Sequence, residues 1–372
     1  MERRDFLKGA GIVGVTGLAG CTGGPTGDGN GGGGNDSNDS NDSNGSGGDG
    51  GEAAANIGMV YATGGLGDGS FNDQAQQGIQ QAEEELGIEY AERQPDEESQ
   101  FPTFQQELAQ SGNYDLVCCI GFLQQSSLTD TAPQYAEQNF MIVDETVDAD
   151  NVSSYVFREE QGSYLVGQMA GLLTTEEFSE GGGETVPDET TVGFVGGVEG
   201  ELIGRFEAGF TAGAQAANED VEVLTSYVGD FNDPSGGQEA ALSMYDRGAD
   251  IVYHAAGNTG TGVFGAAQEA GRYAIGVDRD QSVTQEDYAD VILASMVKRV
   301  DTAVFDSVEA VVNDEFTGGE TTALSLEEEG VAAVYGQELG DAIPGSIKDS
   351  VDETRQGIID GEIEVPTDPD EL

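Results

Sequence analysis

From residue 57 onward, short and largely apolar runs alternate with longer amphipathic stretches. Apolar runs of this length are typical of parallel strands that are buried on both faces. They predict ten strands, at Ile57–Tyr61, Ile88–Glu92, Asp115–Ile120, Phe140–Val143, Ser154–Phe157, Thr191–Val195, Val221–Tyr227, Ile251–His254, Tyr273–Val277 and Val291–Ser295. The stretches between them predict helices, among them Asp73–Leu86, Pro102–Ser111, Gln161–Leu173, Leu202–Asn218, Gly237–Asp246, Gly262–Ala270 and Asp301–Asn313. This alternation indicates an α/β fold with crossover helices.

Residues 174–189 interrupt the alternation with acidic residues, three consecutive glycines and a proline. The interruption divides the chain into two series of strands and helices, and each series begins with a strand and a glycine-rich turn. Gly64–Asp73, with the sequence GGLGDGSFND, is the first of these turns. Because ligands bind at the carboxyl edge of parallel sheets, two facing edges predict a binding cleft between two lobes.

The chain is strongly acidic, with 71 acidic and 13 basic residues and a formal charge of -58 over 372 residues. This charge excludes non-specific binding to nucleic acid, and it excludes docking to an anionic lipid surface through charge. A folded chain of this charge repels itself in dilute buffer, whereas the Debye length falls to about 3 Å in 1 M salt. We therefore expect a halophile, of the haloarchaeal kind, and an acidic mesophilic protein is the alternative.

The first 21 residues have the features of an export signal. Arg3 and Arg4 precede an apolar run, Ala10–Ala19, that is too short to span a bilayer as a helix. The arginine pair indicates a twin-arginine signal, and Leu18–Cys21 resembles a lipobox, whose cysteine becomes lipidated. We expect lipidation at Cys21 and a lipid anchor on the extracellular face of the cell membrane. A plain cleavage site with an incidental cysteine is the alternative.

Residues 22–55 are rich in Gly, Asn, Asp and Ser, which predicts a disordered tether between the anchor and the folded part. Asparagines within Asn-x-Ser sequons are candidate glycosylation sites in an exported protein. Four such positions occur in the tether, at Asn35, Asn38, Asn41 and Asn44. The alternative is that the repeated Asn-Asp-Ser is only a polar spacer.

The turns after the predicted strands carry aromatic rings, carboxylates and one ammonium group, for example Phe71, Asp144 and Lys298. Aromatic faces can hold a flat ring, and carboxylates accept hydrogen bonds from hydroxyl groups. This set suits a neutral, hydroxylated, planar ligand such as a nucleoside. It does not suit a phosphate, because no Gly-Lys-Ser/Thr follows a glycine turn and the nearby acids repel anions.

These residues also have structural interpretations. Phe71 could be a core residue at a helix start, Asp73 could cap that helix, and Asp278 could be an ordinary turn residue. Lys298 could be a solvated charge, and His254, the only histidine, is interpreted as a structural residue at the end of a buried strand. The sequence contains no nucleophile–base–orienter set and no metal-ligand spacing. It therefore predicts a binding protein rather than an enzyme, with no catalytic residues, cofactor or metal.

Several short motifs resemble the basic membrane protein family, the substrate-binding lipoproteins of ABC transporters, several of which bind purine nucleosides. The motifs are specific as a set, although none is specific singly. They keep the order and spacing of that family from about Ile57 to Gly336, at Gly67–Asp73, Tyr114–Leu116, Gly121–Phe122, Arg205–Phe210, Gly229–Pro234, Ala255–Gly260, Gly276–Gln281 and Ser295–Arg299.

The resemblance implies a two-lobed type I periplasmic-binding-protein fold, in which each lobe is a mainly parallel sheet flanked by helices and three crossovers allow hinge closure. It implies a first lobe of residues 56–157 and about 299–325, and a second lobe of residues 158–298 and about 326–372. Phe71 and Phe206 would face the base, and Asp278 and Lys298 would bind the ribose. The implied ligand-binding residues are Phe71, Asn72, Phe122, Asp144, Phe206, Gly257, Asp278 and Lys298.

Two positions depart from the family pattern. Ala62 stands where the family often has an aspartate, and Gly69 stands where it usually has a lysine. If that aspartate reads the edge of the base, the change at Ala62 affects base preference.

Three functions are consistent with these features. The first is a monomeric, extracytoplasmic lipoprotein that captures a nucleoside, of the purine type, and delivers it to an ABC permease and ATPase complex. The second is a receptor of the same fold that binds a sugar or a small signal molecule, in transport or in sensing. The third is an enzyme that acts on nucleosides.

Overall fold

Twelve strands and ten α-helices lie within residues 53–372, the part of the chain that the computed structural model describes. The strands are β1 (Asn56–Val60), β2 (Glu89–Arg93), β3 (Leu116–Cys119), β4 (Asn139–Val143), β5 (Val152–Phe157), β6 (Thr191–Gly196), β7 (Glu222–Tyr227), β8 (Ala249–Ala255), β9 (Tyr273–Asp278), β10 (Ile292–Lys298), β11 (Thr321–Leu324) and β12 (Val331–Tyr335). The helices are α1 (Phe71–Leu86), α2 (Phe101–Ser111), α3 (Gln125–Thr131), α4 (Glu159–Leu173), α5 (Glu201–Ala217), α6 (Pro234–Tyr245), α7 (Gly260–Ala270), α8 (Gln281–Thr284), α9 (Val300–Val312) and α10 (Gly345–Ile359). The predicted export signal, Cys21 and the four sequons of the tether lie outside the described residues.

The strands form two six-stranded sheets with the same pattern of neighbours. The first sheet has the order β11-β5-β4-β3-β1-β2 and is parallel throughout. The second has the order β12-β10-β9-β8-β6-β7, and β12 runs antiparallel to β10. The chain passes from one sheet to the other after β5, after β10 and between β11 and β12. The predicted two-lobed α/β fold, with mainly parallel sheets and three crossovers, is confirmed, and each sheet with its helices is called a lobe below.

Burial of both faces of each sheet explains the continuous apolar runs. All four residues of β3 and all seven of β8 are buried. Cys118 and Cys119 point to opposite faces of the first sheet, because successive side chains of a strand alternate. Cys118 packs in the core that contains Ile79 of α1 and Val304 of α9, whereas Cys119 packs with Leu108 of α2.

Two edge strands, β11 and β12, are absent from the prediction. Three of the four residues of β11 are exposed, and β12 forms the antiparallel edge of the second sheet. An edge strand needs no continuous apolar run, since one of its sides faces solvent rather than a neighbouring strand. Helix α1 also begins at Phe71, two residues before the predicted start at Asp73.

The first two crossovers are held against the third in the same way. The N–H of Arg158, just after β5, donates to the carbonyl of Leu324 at 3.0 Å. The N–H of Arg299, just after β10, donates to the carbonyl of Gly330 at 2.9 Å. The segment between β11 and β12 therefore connects both other crossovers by backbone hydrogen bonds. These hydrogen bonds join the three crossovers to one another, at the place where the chain passes between the two lobes.

Helix α5 is placed by an unusually close contact with α4. A Cβ atom on Gly209 would lie 2.2 Å from the carbonyl oxygen of Glu160, and one on Gly213 would lie 2.1 Å from that of Tyr164. Only glycine permits this approach of the two backbones. The contact fixes the position of the first turns of α5, which carry Phe206 into the cleft.

None of the helices in the described part of the chain combines the length and the hydropathy that a membrane crossing requires.

Candidate functional site

The turn before α1 is organised by Asp68. Its carboxylate accepts hydrogen bonds from the backbone N–H groups of Ser70 and Asn72 at 2.9 Å and of Asp73 at 3.2 Å. These are N–H groups that the start of a helix leaves without internal partners. Asp68 therefore supplies the cap, a role that the sequence predicted for Asp73. Burial raises the pKa of Asp68, whereas these three N–H groups favour its ionised form.

Asp73 and Asn72 hold the same turn from its other side. The carboxylate of Asp73 accepts from the N–H groups of Gly67 at 2.7 Å and Gly69 at 2.9 Å. The amide of Asn72 accepts from the N–H of Ala62 at 2.9 Å and donates to the carbonyl of Gly65 at 3.0 Å. Its oxygen is thus engaged within the turn, so a direct contact between Asn72 and a ligand would use the remaining N–H.

Two phenylalanines enter the cleft from different lobes. Phe71 begins α1 of the first lobe, and Phe206 lies in α5 of the second. The ring centroids lie 5.2 Å and 5.4 Å from Nζ of Lys298. Gly121 lies beside the first ring, and its φ of 106° is a backbone conformation that favours glycine. Both residues line the same cavity.

A second aromatic pair spans the cleft. The rings of Phe122, after β3 of the first lobe, and Phe231, after β7 of the second, meet edge to face with centroids 6.2 Å apart. Phe122 was predicted from the sequence. Phe231 was not, although its turn carries the Gly229–Pro234 motif, and that motif was the signal that could have identified it.

Two aspartates occupy equivalent places in the two sheets. Asp144 follows β4 and Asp278 ends β9, and both have left-handed backbone geometry, with φ of 72° and 65°. Ser70 donates to Asp278 across the cleft, with 2.5 Å between Oγ and Oδ2. Burial raises the pKa of Asp278 to about 6, although the charge of Lys298 opposes this shift.

Lys298 is buried, with 2% of its surface exposed, which excludes its interpretation as a solvated charge. Its Nζ lies 2.7 Å from Oδ2 of Asp144 and 3.3 Å from Oε1 of Glu159. Burial favours the neutral amine, but the nearby carboxylates outweigh it and hold the pKa of Lys298 above its ordinary value. Glu159 was missed, because in so acidic a chain no sequence signal separates it from Glu160.

These groups surround one cavity between the lobes, with about 650 Å³ of empty space that includes its opening to solvent. All eight residues predicted to bind the ligand line this cavity. Asp68, Leu202, Phe231 and Asn258 line it too and were not among the predicted residues. The structure thus brings the predicted residues together, and ligand binding by each of them stays a prediction.

Further polar contacts hold the lobes together in this closed arrangement. The hydroxyl of Thr284 in α8 donates to the carbonyl of Gly69 at 2.9 Å. The guanidinium of Arg279 donates to the side chain of Gln77 at 3.0 Å. Both contacts join the start of α1 to the segment after β9. The turn that begins with Gly64 therefore has two roles, since it borders the cavity and also contacts the opposite lobe.

His254 lies behind the cavity, fully buried at the end of β8. Its Nε2 is 2.9 Å from Oε1 of Gln281, and Gly260 leaves room for the ring. Burial lowers the pKa of His254 to about 4. No group of three or more His, Cys, Asp or Glu side chains within residues 53–372 is arranged to hold a metal ion.

Comparison with known protein families shows which kind of protein carries this cavity. Residues 55–369 match the Bmp family, described as ABC transporter substrate-binding protein PnrA-like. The chain belongs to the Bmp family. The family members are solute-binding proteins of ABC transporters, and the match covers the whole of both sheets.

Individual relatives agree with this assignment. A CD4+ T-cell-stimulating antigen of Listeria monocytogenes is 38% identical over 84% of this chain and 88% of its own. The ABC transporter nucleoside-binding protein BmpA of Lactococcus lactis is 33% identical over 83% of this chain and 88% of its own. The crystal structure of an ABC transporter solute-binding protein from Aeropyrum pernix superposes with a TM-score of 0.75 at 30% identity, covering 85% of this chain and 95% of that one.

Proposed function

We propose that this Bmp-family protein captures a nucleoside, of the purine type, between its two lobes and delivers it to the permease of an ABC importer. The observation that carries the proposal is the pair of rings from opposite lobes, Phe71 and Phe206, in one cavity with buried carboxylates and a single ammonium. A flat base stacks on aromatic faces, and the hydroxyls of a ribose donate to carboxylates. The nucleoside-binding relative supports the same ligand class.

The roles of the polar groups follow from their positions. Asp278 and Lys298 lie at the ends of neighbouring strands β9 and β10, which suits two adjacent hydroxyl groups of a ribose. Asp144 extends the same polar surface from the first lobe. A phosphate fits poorly, because Asp68, Asp144 and Asp278 all line the cavity and repel anions. We therefore propose that the protein selects nucleosides over nucleotides.

We propose that Ala62 affects which nucleoside base the protein prefers. Its side chain lines the cavity next to Gly121 and offers no hydrogen-bonding group to the edge of a base. An aspartate at this position would add an acceptor for the N–H groups of a purine. Ala62→Asp should therefore change the order of affinities among adenosine, guanosine and inosine, and an unchanged order would remove Ala62 from this role.

The proposed location follows from the export signal and the family. We propose that the protein is tethered outside the cell by a lipid on Cys21, with the two lobes free to present the ligand to the permease. In Cys21→Ala, the protein should be released into the medium instead of staying with the membrane fraction. Equal retention of both proteins would contradict the lipid anchor.

Isothermal titration calorimetry in concentrated KCl tests the ligand class. The ligands are adenosine, guanosine, inosine, cytidine, uridine and ribose, each titrated into the full chain. The proposal predicts heat of binding with at least one nucleoside and none with ribose. Binding of ribose alone would favour a sugar receptor of the same fold, and turnover of a nucleoside would indicate an enzyme.

A further inference from the structure

The charges around Lys298 do not balance. One ammonium faces the carboxylates of Asp144, Glu159 and Asp278, and the side chains of its two ion-pair partners are at most 3% exposed. If all three carboxylates were ionised, two negative charges would stay uncompensated inside the protein. Buried charges without a partner are costly, and a carboxylate in this situation tends to bind a proton.

Glu159 is the member of this cluster that lies away from the cavity. Asp144, Asp278 and Lys298 line the cavity, whereas Glu159 does not and is fully buried. It begins α4 at the crossover from the first lobe to the second. One of its oxygens, Oε2, has no hydrogen-bond partner within the described part of the chain, and neither has Oδ1 of Asp144. A proton on Glu159 would remove one of the two excess charges without changing a ligand contact.

The surroundings of Glu159 on balance favour this proton. Burial is the largest effect and raises its pKa to about 7, with Lys298 opposing the shift and Asp144 adding to it. The charged and titratable groups that face it come from five elements or their ends. They are Lys298 of β10, Asp144 after β4, Glu160 of α4, Arg205 of α5 and Tyr253 of β8.

We propose that Glu159 is a positioning residue that holds the ammonium of Lys298 in place and takes up a proton when the lobes close on a ligand. The proposal rests on the proposed function, since it requires a ligand that closes the cleft. Closure brings Asp144 of the first lobe onto Lys298 of the second and removes water from the cluster. The loss of water is what makes the ionised form of Glu159 unfavourable.

The direction of the pH dependence follows from linkage. In an open, hydrated cleft Glu159 has its ordinary pKa of 4.5, so it is ionised above this pH. In the closed cleft its pKa is about 7, so it is protonated below this pH. Binding therefore takes up a proton between these two values, and affinity falls as the pH rises through this window. The fall is at most about tenfold per pH unit for a single proton, and affinity becomes constant above about pH 7.

Calorimetry at about pH 6.5 in two buffers of different ionisation enthalpy measures the proton uptake. The full chain is titrated with the nucleoside that binds best among adenosine, guanosine and inosine. The wild-type protein should take up between about half a proton and one proton. E159Q should retain at most about a third of this uptake. This remainder comes from Asp278, whose pKa of about 6 leaves it partly protonated at this pH.

The matched control is E160Q, which makes the same change at the next, also buried, residue that does not contact Lys298. This variant should keep most of the wild-type uptake, because the charge of Glu160 is the smallest of the effects on the pKa of Glu159. Binding with the same uptake in E159Q as in the wild type would overturn the proposal, and so would loss of the uptake in E160Q.

A second measurement compares melting temperatures with and without nucleoside. In the closed complex the raised pKa of Glu159 stabilises the protein fully below about pH 4.5, and this contribution is lost as the pH rises through about 7. With saturating nucleoside, the melting temperature of the wild type should therefore fall more steeply between about pH 5 and pH 7.5 than that of E159Q, whereas the two ligand-free proteins should have the same slope. If no nucleoside binds, the proposed function fails, whereas binding with equal slopes in the two complexes would overturn the role of Glu159 separately.

Discussion

Nζ of Lys298 and Oδ2 of Asp144 lie 2.7 Å apart, although Lys298 ends β10 of the second lobe and Asp144 follows β4 of the first. The ion pair thus joins the two lobes at the bottom of the cavity. Both side chains are almost completely buried, so water does not screen their attraction. The same two residues line the cavity, so we expect ligand binding and lobe closure to depend on one pair of charges.

Lys298→Met should lower the free energy of unfolding by about 3–5 kcal/mol, because it leaves buried carboxylates without their cation. Chemical unfolding in concentrated KCl measures this loss. Lys348→Met is the matched control, since Lys348 lies 5.4 Å from the ring of Tyr335, away from the cavity. It should cost less than about 1 kcal/mol. A similar loss in both variants would contradict the importance of the cross-lobe pair.

Phe71→Ala should raise the dissociation constant of the bound nucleoside by more than about tenfold, because base–aromatic stacking contributes about 1–3 kcal/mol. Calorimetry of the variant gives this value directly. Phe316→Ala is the control, since Phe316 is a partly buried ring that packs on the same core but does not line the cavity. An unchanged dissociation constant in Phe71→Ala would assign that ring to the core alone.

The strands of this fold could be predicted well where both faces are buried. Runs such as Leu116–Cys119 are apolar at every position, because helices pack on both faces of a parallel sheet and neither face is exposed to solvent. The edge strand Thr321–Leu324 could not be predicted in the same way. Three of its four residues are exposed, and its place beside β5 follows from the crossover rather than from its own composition.

The residues of the site that follow strands could be predicted from the sequence, whereas the residue behind the cavity could not. Turns after parallel strands meet at one edge, so Asp144 and Asp278 could be proposed from their positions alone. Glu159, the partner of Lys298 at the first crossover, could not be predicted, because 71 acidic residues make one glutamate indistinguishable from another. Its role depends on which carboxylate the tertiary fold buries against the single ammonium of the cavity.

Ser70→Ala should weaken nucleoside binding by about tenfold or more, because it removes the cross-lobe hydrogen bond to Asp278. A hydrogen bond to a charged group contributes about 1.5–3 kcal/mol when its loss leaves the charge buried. Calorimetry measures the affinity, and small-angle scattering with and without nucleoside measures the extent of closure. Ser99→Ala, an exposed serine of the first lobe, should change neither quantity. Full affinity in Ser70→Ala would show that this contact is not needed for closure.

The imidazole of His254 should stay neutral down to about pH 5, because burial lowers its pKa to about 4. The neutral form contributes stability that is fully present above the unfolded-state pKa of 6.5 and is lost as the pH falls towards 4. His254 is the only histidine of the chain, so a single set of imidazole signals in a nuclear magnetic resonance titration reports it. A titration midpoint near 6.5 in the folded protein would contradict the buried, unprotonated state.

The central claim is that a nucleoside binds in the cavity between the lobes, and a crystal structure with the best-binding nucleoside tests it most directly. The account predicts the base in contact with the rings of Phe71 and Phe206, and the ribose hydroxyls within hydrogen-bonding distance of Asp278 and Lys298. A nucleoside bound outside this cavity, or a base that contacts neither ring, would contradict it.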